Sequence, residues 1–189
     1  MRKNYFLLIA LIFSSLLTSK VKSQTYILSN EDFESSGFDI PVSWSETGLS
    51  NDGIWSVGAD SVASSFYWLV PDHTQFAFTN DDACNCDKSS DRLILPEQDF
   101  TSYSENPILI FDAFNDGAYG GISYLEVSLD GGANFSVIDT ISTNVNQWQN
   151  NLQYDLEFAG ESSVIVAITY SDGGFIDGST SNWASGLAI

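Results

Sequence analysis

The chain has 189 residues, 43% hydrophobic and 14% aromatic, with 25 acidic residues against six basic ones and a formal charge of −19. That aromatic content excludes a disordered acidic tail, and so few Lys and Arg leave little to displace counterions from a nucleic-acid backbone or to hold an anionic membrane. Divalent cations are the natural counter-charge, against the simpler alternative that acidity only keeps an exported protein soluble.

The N-terminus reads as a secretory signal peptide over residues 1–23. Arg2 and Lys3 precede the apolar run Tyr5 to Leu17, and Val21, Lys22 and Ser23 offer a small-residue cleavage site. The run is too short for a membrane anchor, and nothing later approaches the roughly 20 apolar residues a span needs. The mature chain is expected to start near Gln24 and to be secreted. The signal holds four of the six basic residues and no acid, so 25 acidic side chains face only Lys88 and Arg92 afterwards, a formal charge of −23.

Residues 24–189 show no helical periodicity; short β-branched and aromatic runs bounded by Gly, Asn, Asp and Ser recur instead, which predicts an all-β domain. The predicted strands are Gln75 to Phe78, Ile108 to Phe114, Tyr124 to Leu129, Phe135 to Ile141, Asn151 to Leu156, Val164 to Tyr170 and Gly186 to Ile189. Tyr124, Glu126 and Ser128 alternate with Leu125, Val127 and Leu129, which predicts one wet and one buried face. Val164 to Tyr170 alternates less cleanly, as a central strand does. Asp130-Gly131-Gly132-Ala133 supplies the positive φ values of a tight hairpin. Long loops are expected at Ser43 to Ser65, Asn80 to Asp91 and Ser171 to Ser185, and in a β-sandwich such loops carry the function.

Chemistry concentrates in one of them. Asn80 to Pro96 reads NDDACNCDKSSDRLILP and holds both cysteines, Lys88 and Arg92, and Asp81, Asp82, Asp87 and Asp91. Gathered carboxylates repel, and a hard cation such as Ca²⁺, which takes six to eight oxygens, is the usual reason for gathering them. The alternative is a solvated turn in which Asp87 and Asp91 pair with Lys88 and Arg92. The spacing is not that of an EF-hand, since no Gly and Glu follow at the sixth and twelfth positions. Ser171-Asp172-Gly173-Gly174 and Asp177-Gly178 form a second acidic loop, read as an ordinary turn or a second cation site. Asp112 and Asp116 are open between a strand-end ligand and a solvated bend. Cys84 and Cys86 are expected to form a local disulfide or to stay free, because His73 alone offers no soft ligand set for zinc.

No catalytic function is expected of this stretch. It has one imidazole, no G-x-S-x-G elbow and no H-E-x-x-H, and a His73–Cys84 thiol protease is disfavoured. Paired carboxylates for glycoside hydrolysis are invisible at the level of sequence. Trp44, Trp55 and Trp148 are assigned to the core, whereas Trp68 and Trp183 are the candidates for exposure and for stacking on a sugar.

Phe33-Glu34 in NEDFESS, Pro41 to Trp44, Gly53-Ile54-Trp55, DDACNCDKSSDRLILP, VSLDGGANF, NQWQ, YDLEFAG and WASGLAI follow one another along nearly the whole mature chain. In order and spacing this set resembles the choice-of-anchor J domain, related to the cleaved-adhesin and MAM-like jelly rolls. The resemblance implies a jelly-roll β-sandwich of two antiparallel sheets, found in secreted multidomain proteins of Gram-negative bacteria and often exported by type IX secretion. It further implies structural Ca²⁺ held by Glu34, Asp81 and Asp82, with Asn80 and Asp91 as further ligands. Members continue past the motif that ends here at Ile189, so a closing strand and one ligand are expected beyond it. The expected role is a calcium-stabilised adhesion or accessory module of a larger exported protein, contacting an extracellular protein or glycan surface. The alternative is a carbohydrate-binding module beside a glycan- or protein-degrading enzyme.

Overall fold

Antiparallel pairing organises the chain, because its β-branched and aromatic runs each have one face to bury. The computed structural model describes residues 27–84, 86–115, 119–143, 146–173 and 184–189. The signal-peptide reading of residues 1–23 therefore lies outside the described residues, as do Asp116, Asp177 and Trp183. Glu31–Ile189 forms one compact unit.

One layer is a five-stranded sheet in the order β1 (Ser45–Thr47), β4 (Asp91–Ile94), β9 (Ile165–Ser171), β6 (Ile122–Ser128) and β7 (Ser136–Ile141). The other joins β10 (Gly186–Ala188), β3 (Phe76–Asn80) and β2 (Ser56–Gly58) to the pair β5 (Ile108–Ala113) and β8 (Gln149–Asp155). The junction is a two-way backbone bond between Phe114 and Ala188. Two single-turn helices, α1 (Asp60–Ala63) and α2 (Asp81–Cys84), sit in the connections. Val57, Ala77, Leu93, Leu125, Val166, Ile168 and Leu187 pack between the layers, so the expected antiparallel β-sandwich is the fold.

β9 occupies the middle of its sheet, as its weak alternation predicts. The hairpin after β6 holds Gly131 at φ 73° and Gly132 at φ 88°. Asp130 accepts bonds from Asn134 Nδ2 at 2.7 Å, from the Asn134 N–H at 2.9 Å and from Ser128 Oγ at 2.7 Å, and these bonds hold its carboxyl down at about 2.

Two expectations need correction. The polar face of β6 is not wet: Glu126 is buried because Arg92 forks onto its two oxygens at 2.7 and 3.2 Å and Thr169 Oγ1 donates to it. Trp68 is fully buried. β3 is covered on both faces, with Ala77 in the main core and Phe76 and Phe78 in a second cluster that Trp68, Val70, Phe114 and Trp148 complete. Trp68 closes that cluster and lies stacked 6.1 Å from Phe114, while its neighbours Phe66 and Leu69 point outward, 83% and 71% exposed. Trp55 is buried and Trp44 and Trp148 are partly buried against the two clusters, as expected.

Candidate functional site

The loop that follows β3 carries most of the residues that the sequence singles out, and β3 fixes where they point. Thr79 faces the main core, where its Oγ1 donates to Asp91 Oδ2 at 2.9 Å. Asn80 faces the other way: its Nδ2 donates to Ala63 O at 2.7 Å, and its Oδ1 accepts the Ala83 N–H at 2.9 Å. Asn80 thus caps α2, satisfying an orphan amide of that turn. The N–H groups of Asp81 and Asp82 both donate to Ser185 O, at 3.0 and 3.3 Å, so the acidic pair is tied to the segment entering β10.

Two acidic groups form side by side. In the first, Lys88 is fully buried and its Nζ lies 2.9 Å from Asp52 Oδ2 and 3.0 Å from Asp91 Oδ2. Asp91 is also fully buried and accepts from Thr79 and from Ser50 Oγ. Burial pushes its carboxyl up, while Lys88, Thr79 and Ser50 pull the other way. A buried pair with this many hydrogen bonds is satisfied, and removing one partner leaves an uncompensated charge.

The second group is Asp81, Asp82 and Asp172. Asp172 Oδ2 accepts the Lys88 backbone N–H at 2.9 Å, which brings the loop after β9 against α2. Asp82 Oδ2 accepts the Tyr67 N–H at 3.0 Å. Asp81 Oδ1 is buried and has no hydrogen-bond partner among the described residues. Desolvation first, then the charge of Asp172, raises the Asp81 carboxyl to about 7. Lys88 acts on it from a distance in the other direction but does not offset these causes.

The expected ligand set therefore divides. Asp81 and Asp82 are adjacent on α2, and Asp172, in the acidic loop read as an ordinary turn or a second cation site, lies near enough to raise the Asp81 carboxyl. Asn80 is taken up as a helix cap. Asp91 lies close by but is committed to Lys88. Glu34 is elsewhere: its Oε1 accepts the Gln75 N–H at 3.0 Å, at the opposite end of β3 from Asp81, roughly 20 Å away at the rise of a strand. The alternative pairing of the loop holds for Asp91 with Lys88, whereas Arg92 goes to Glu126 and Asp87 is bonded by the Ser89 hydroxyl and N–H, which lower its carboxyl.

The remaining candidates fall outside this group. Cys84 and Cys86 form a disulfide, with Cα atoms 5.2 Å apart. Their sulfurs lie within 4.8 Å of an Asp52 oxygen, but oxidised sulfur is not a thiolate ligand. It is not a nucleophile either, so Cys84 offers nothing to a thiol protease. His73 Nε2 pairs instead with Asp112 Oδ2 at 3.3 Å, and Asp112 Oδ1 accepts the Asn151 N–H at 2.7 Å, so Asp112 is engaged within the sheet. Among the described residues no helix is long and apolar enough to cross a membrane.

Neither a protein-family model nor a curated protein matches the chain. Among solved structures it is similar to the K1 cleaved adhesin domain of Lys-gingipain from Porphyromonas gingivalis W83, with a TM-score of 0.52 and 16% identity over 84% of this chain and 91% of that one. A second likeness is to the C-terminal family 22 carbohydrate-binding module of Clostridium thermocellum Xyn10B, with a TM-score of 0.37 and 11% identity over 78% of this chain and 82% of that one. At that identity the first likeness shows the shared fold. Asp172 was within reach of sequence reasoning only through its acidic turn; its partner Lys88 lies 84 residues away.

Proposed function

We propose that this chain is a secreted β-sandwich binding module, of adhesion or accessory type, that is stabilised by Ca²⁺ and works as part of a larger exported or cell-surface protein. One observation carries the metal part. Asp81 presents a buried, unpartnered carboxylate oxygen beside Asp82 and Asp172, and its carboxyl is pushed up to about 7. Hard cations prefer such all-oxygen sets, and a bound cation removes the repulsion that now favours the protonated form. Asp81 would anchor the ion, drawing on Asp82 or Asp172 and on further oxygens, since the three carboxylates do not all lie within 4.8 Å of one another, and its role would be to pin α2 to the loop after β9.

The adhesion part rests on the fold shared with a cleaved adhesin domain and on the contact of the loops after β3 and β9. A carbohydrate-binding module ranks second. Trp68 belongs to the core, and Trp183 lies outside the described residues. The test of the first reading is a thermal melt in EDTA, in millimolar Ca²⁺ and in Mg²⁺. A Ca²⁺-specific rise of several degrees is expected, because a ligand that binds only the folded state stabilises it in proportion to the logarithm of its concentration.

A further inference from the structure

Beside the acidic group lies a cleft of about 200 Å³ lined by Tyr67, Asp82, Tyr119 and Ala184. Its walls are joined by the backbone. Tyr67 N–H donates to Asp82 Oδ2, the Asp82 N–H donates to Ser185 O next to Ala184, and Ala184 bridges to Gly120 next to Tyr119. Tyr67 sits on a tight turn closed by a bond from the Ser65 N–H to Trp68 O, with Trp68 itself locked in the core beneath it. Tyr119 is followed by Gly120 and by Gly121, where an added Cβ would meet the Tyr170 hydroxyl at 2.7 Å, so this wall too is closely fitted. Tyr67 and Tyr119 remain 53% and 39% exposed. Two aromatic rings and one carboxylate thus stand at the edge of a preformed cleft.

The charge around the cleft chooses its occupant. Asp82 lines it, Asp81 adjoins it, and Asp172 adds to the field at Asp81. The basic side chains nearest in the fold are spoken for: Lys88 by Asp52 and Asp91, Arg92 by Glu126. Arg92 also shows the chemistry at work within the chain, its guanidinium forked on Glu126 and lying 4.6 Å over the Phe135 ring. A guanidinium is planar and weakly hydrated, stacks on aromatic faces and pairs with a carboxylate. We propose that the Tyr67–Tyr119–Asp82 cleft binds an arginine side chain exposed on a partner protein.

This rests on reading the chain as a binding module; it does not require Ca²⁺, which would compete for Asp82, so the titration in EDTA is the decisive one. The test is titration of the purified protein with acetyl-Gly-Arg-Gly-amide, with its citrulline analogue and with methyl glycosides, in EDTA and in Ca²⁺. Saturable binding of the arginine peptide is expected, weakening with salt, and about tenfold weaker for citrulline. Tyr67→Ala and Asp82→Asn should each weaken it about tenfold, while Tyr67→Phe retains it, with melting temperatures checked to show that every variant is folded. Equal binding of citrulline, no saturation at millimolar peptide, indifference to Tyr67→Ala and Asp82→Asn, or glycoside binding lost in those two variants would each overturn the inference. Lost peptide binding with an intact Ca²⁺ shift overturns this inference alone, and a lost Ca²⁺ shift with peptide binding retained overturns only the metal.

Discussion

Two acidic groups lie against each other at the end of β3, and they solve the same electrostatic problem in different ways. Around Asp52 and Asp91 the chain supplies its own cation, the fully buried Lys88. At Asp81 the same lysine acts only from a distance, and Asp81 retains a buried oxygen with no hydrogen-bond partner among the described residues. The first group is complete when the chain folds. The second holds a carboxyl raised to about 7, which a proton or, on the proposed reading, an external cation would neutralise, and that difference separates a structural element from a candidate site.

Lys88→Met should give the largest effect, a loss of about 3–5 kcal/mol in urea unfolding that Ca²⁺ does not restore, because Asp91 is left buried and unpaired. Lys88→Met combined with Asp91→Asn should recover part of the loss. If Ca²⁺ fully rescues the single variant, the two groups are interchangeable and the comparison fails. Asp81→Asn should act the other way. In EDTA at pH 8 it should raise stability by about 1 kcal/mol, after allowing for solvent screening of a partly exposed carboxylate, and it should abolish the response to Ca²⁺. Glu34→Gln should leave that response intact, since Glu34 lies at the far end of β3.

The pH dependence sharpens the comparison further. The folded-state carboxyl of Asp81 is raised from 3.8 to about 7, so the folded chain holds this proton more tightly than the unfolded chain. Its contribution is present below pH 3.8 and is lost as pH rises to about 7. Melts in EDTA across that window should show this decline superimposed on the other carboxylates, and Asp81→Asn should remove it. Ca²⁺ should bind more tightly as pH rises, because it competes with the proton. Reducing Cys84–Cys86 should cost little, at most about 1–2 kcal/mol in urea unfolding, because the ring it closes is so short.

The long strands were legible in the sequence because each carries enough β-branched or aromatic residues to show its period. β1, Ser-Glu-Thr, and β2, Ser-Val-Gly, were not: three residues set among Gly, Ser and Asp have no period to read, and only their partners β4 and β3 make them strands. The burial of Trp68 was hidden for a related reason. In SFYWLV every residue after the serine is apolar, so nothing in the pattern says which of them turns inward. Of the site, the pair Asp81 and Asp82 was legible from local charge density. Asp172 was not, because β9 is brought beside β4 by the sheet, and that pairing alone carries the carboxylate of one loop to the other.

The most direct measurement is the melting temperature of the protein and of Asp81→Asn, each in EDTA, Ca²⁺ and Mg²⁺ at pH 8. The account predicts a rise of several degrees with Ca²⁺ alone for the unsubstituted protein, and none for the variant, which should already melt higher in EDTA. Equal Ca²⁺ shifts in the two proteins, or no shift in either, would contradict it.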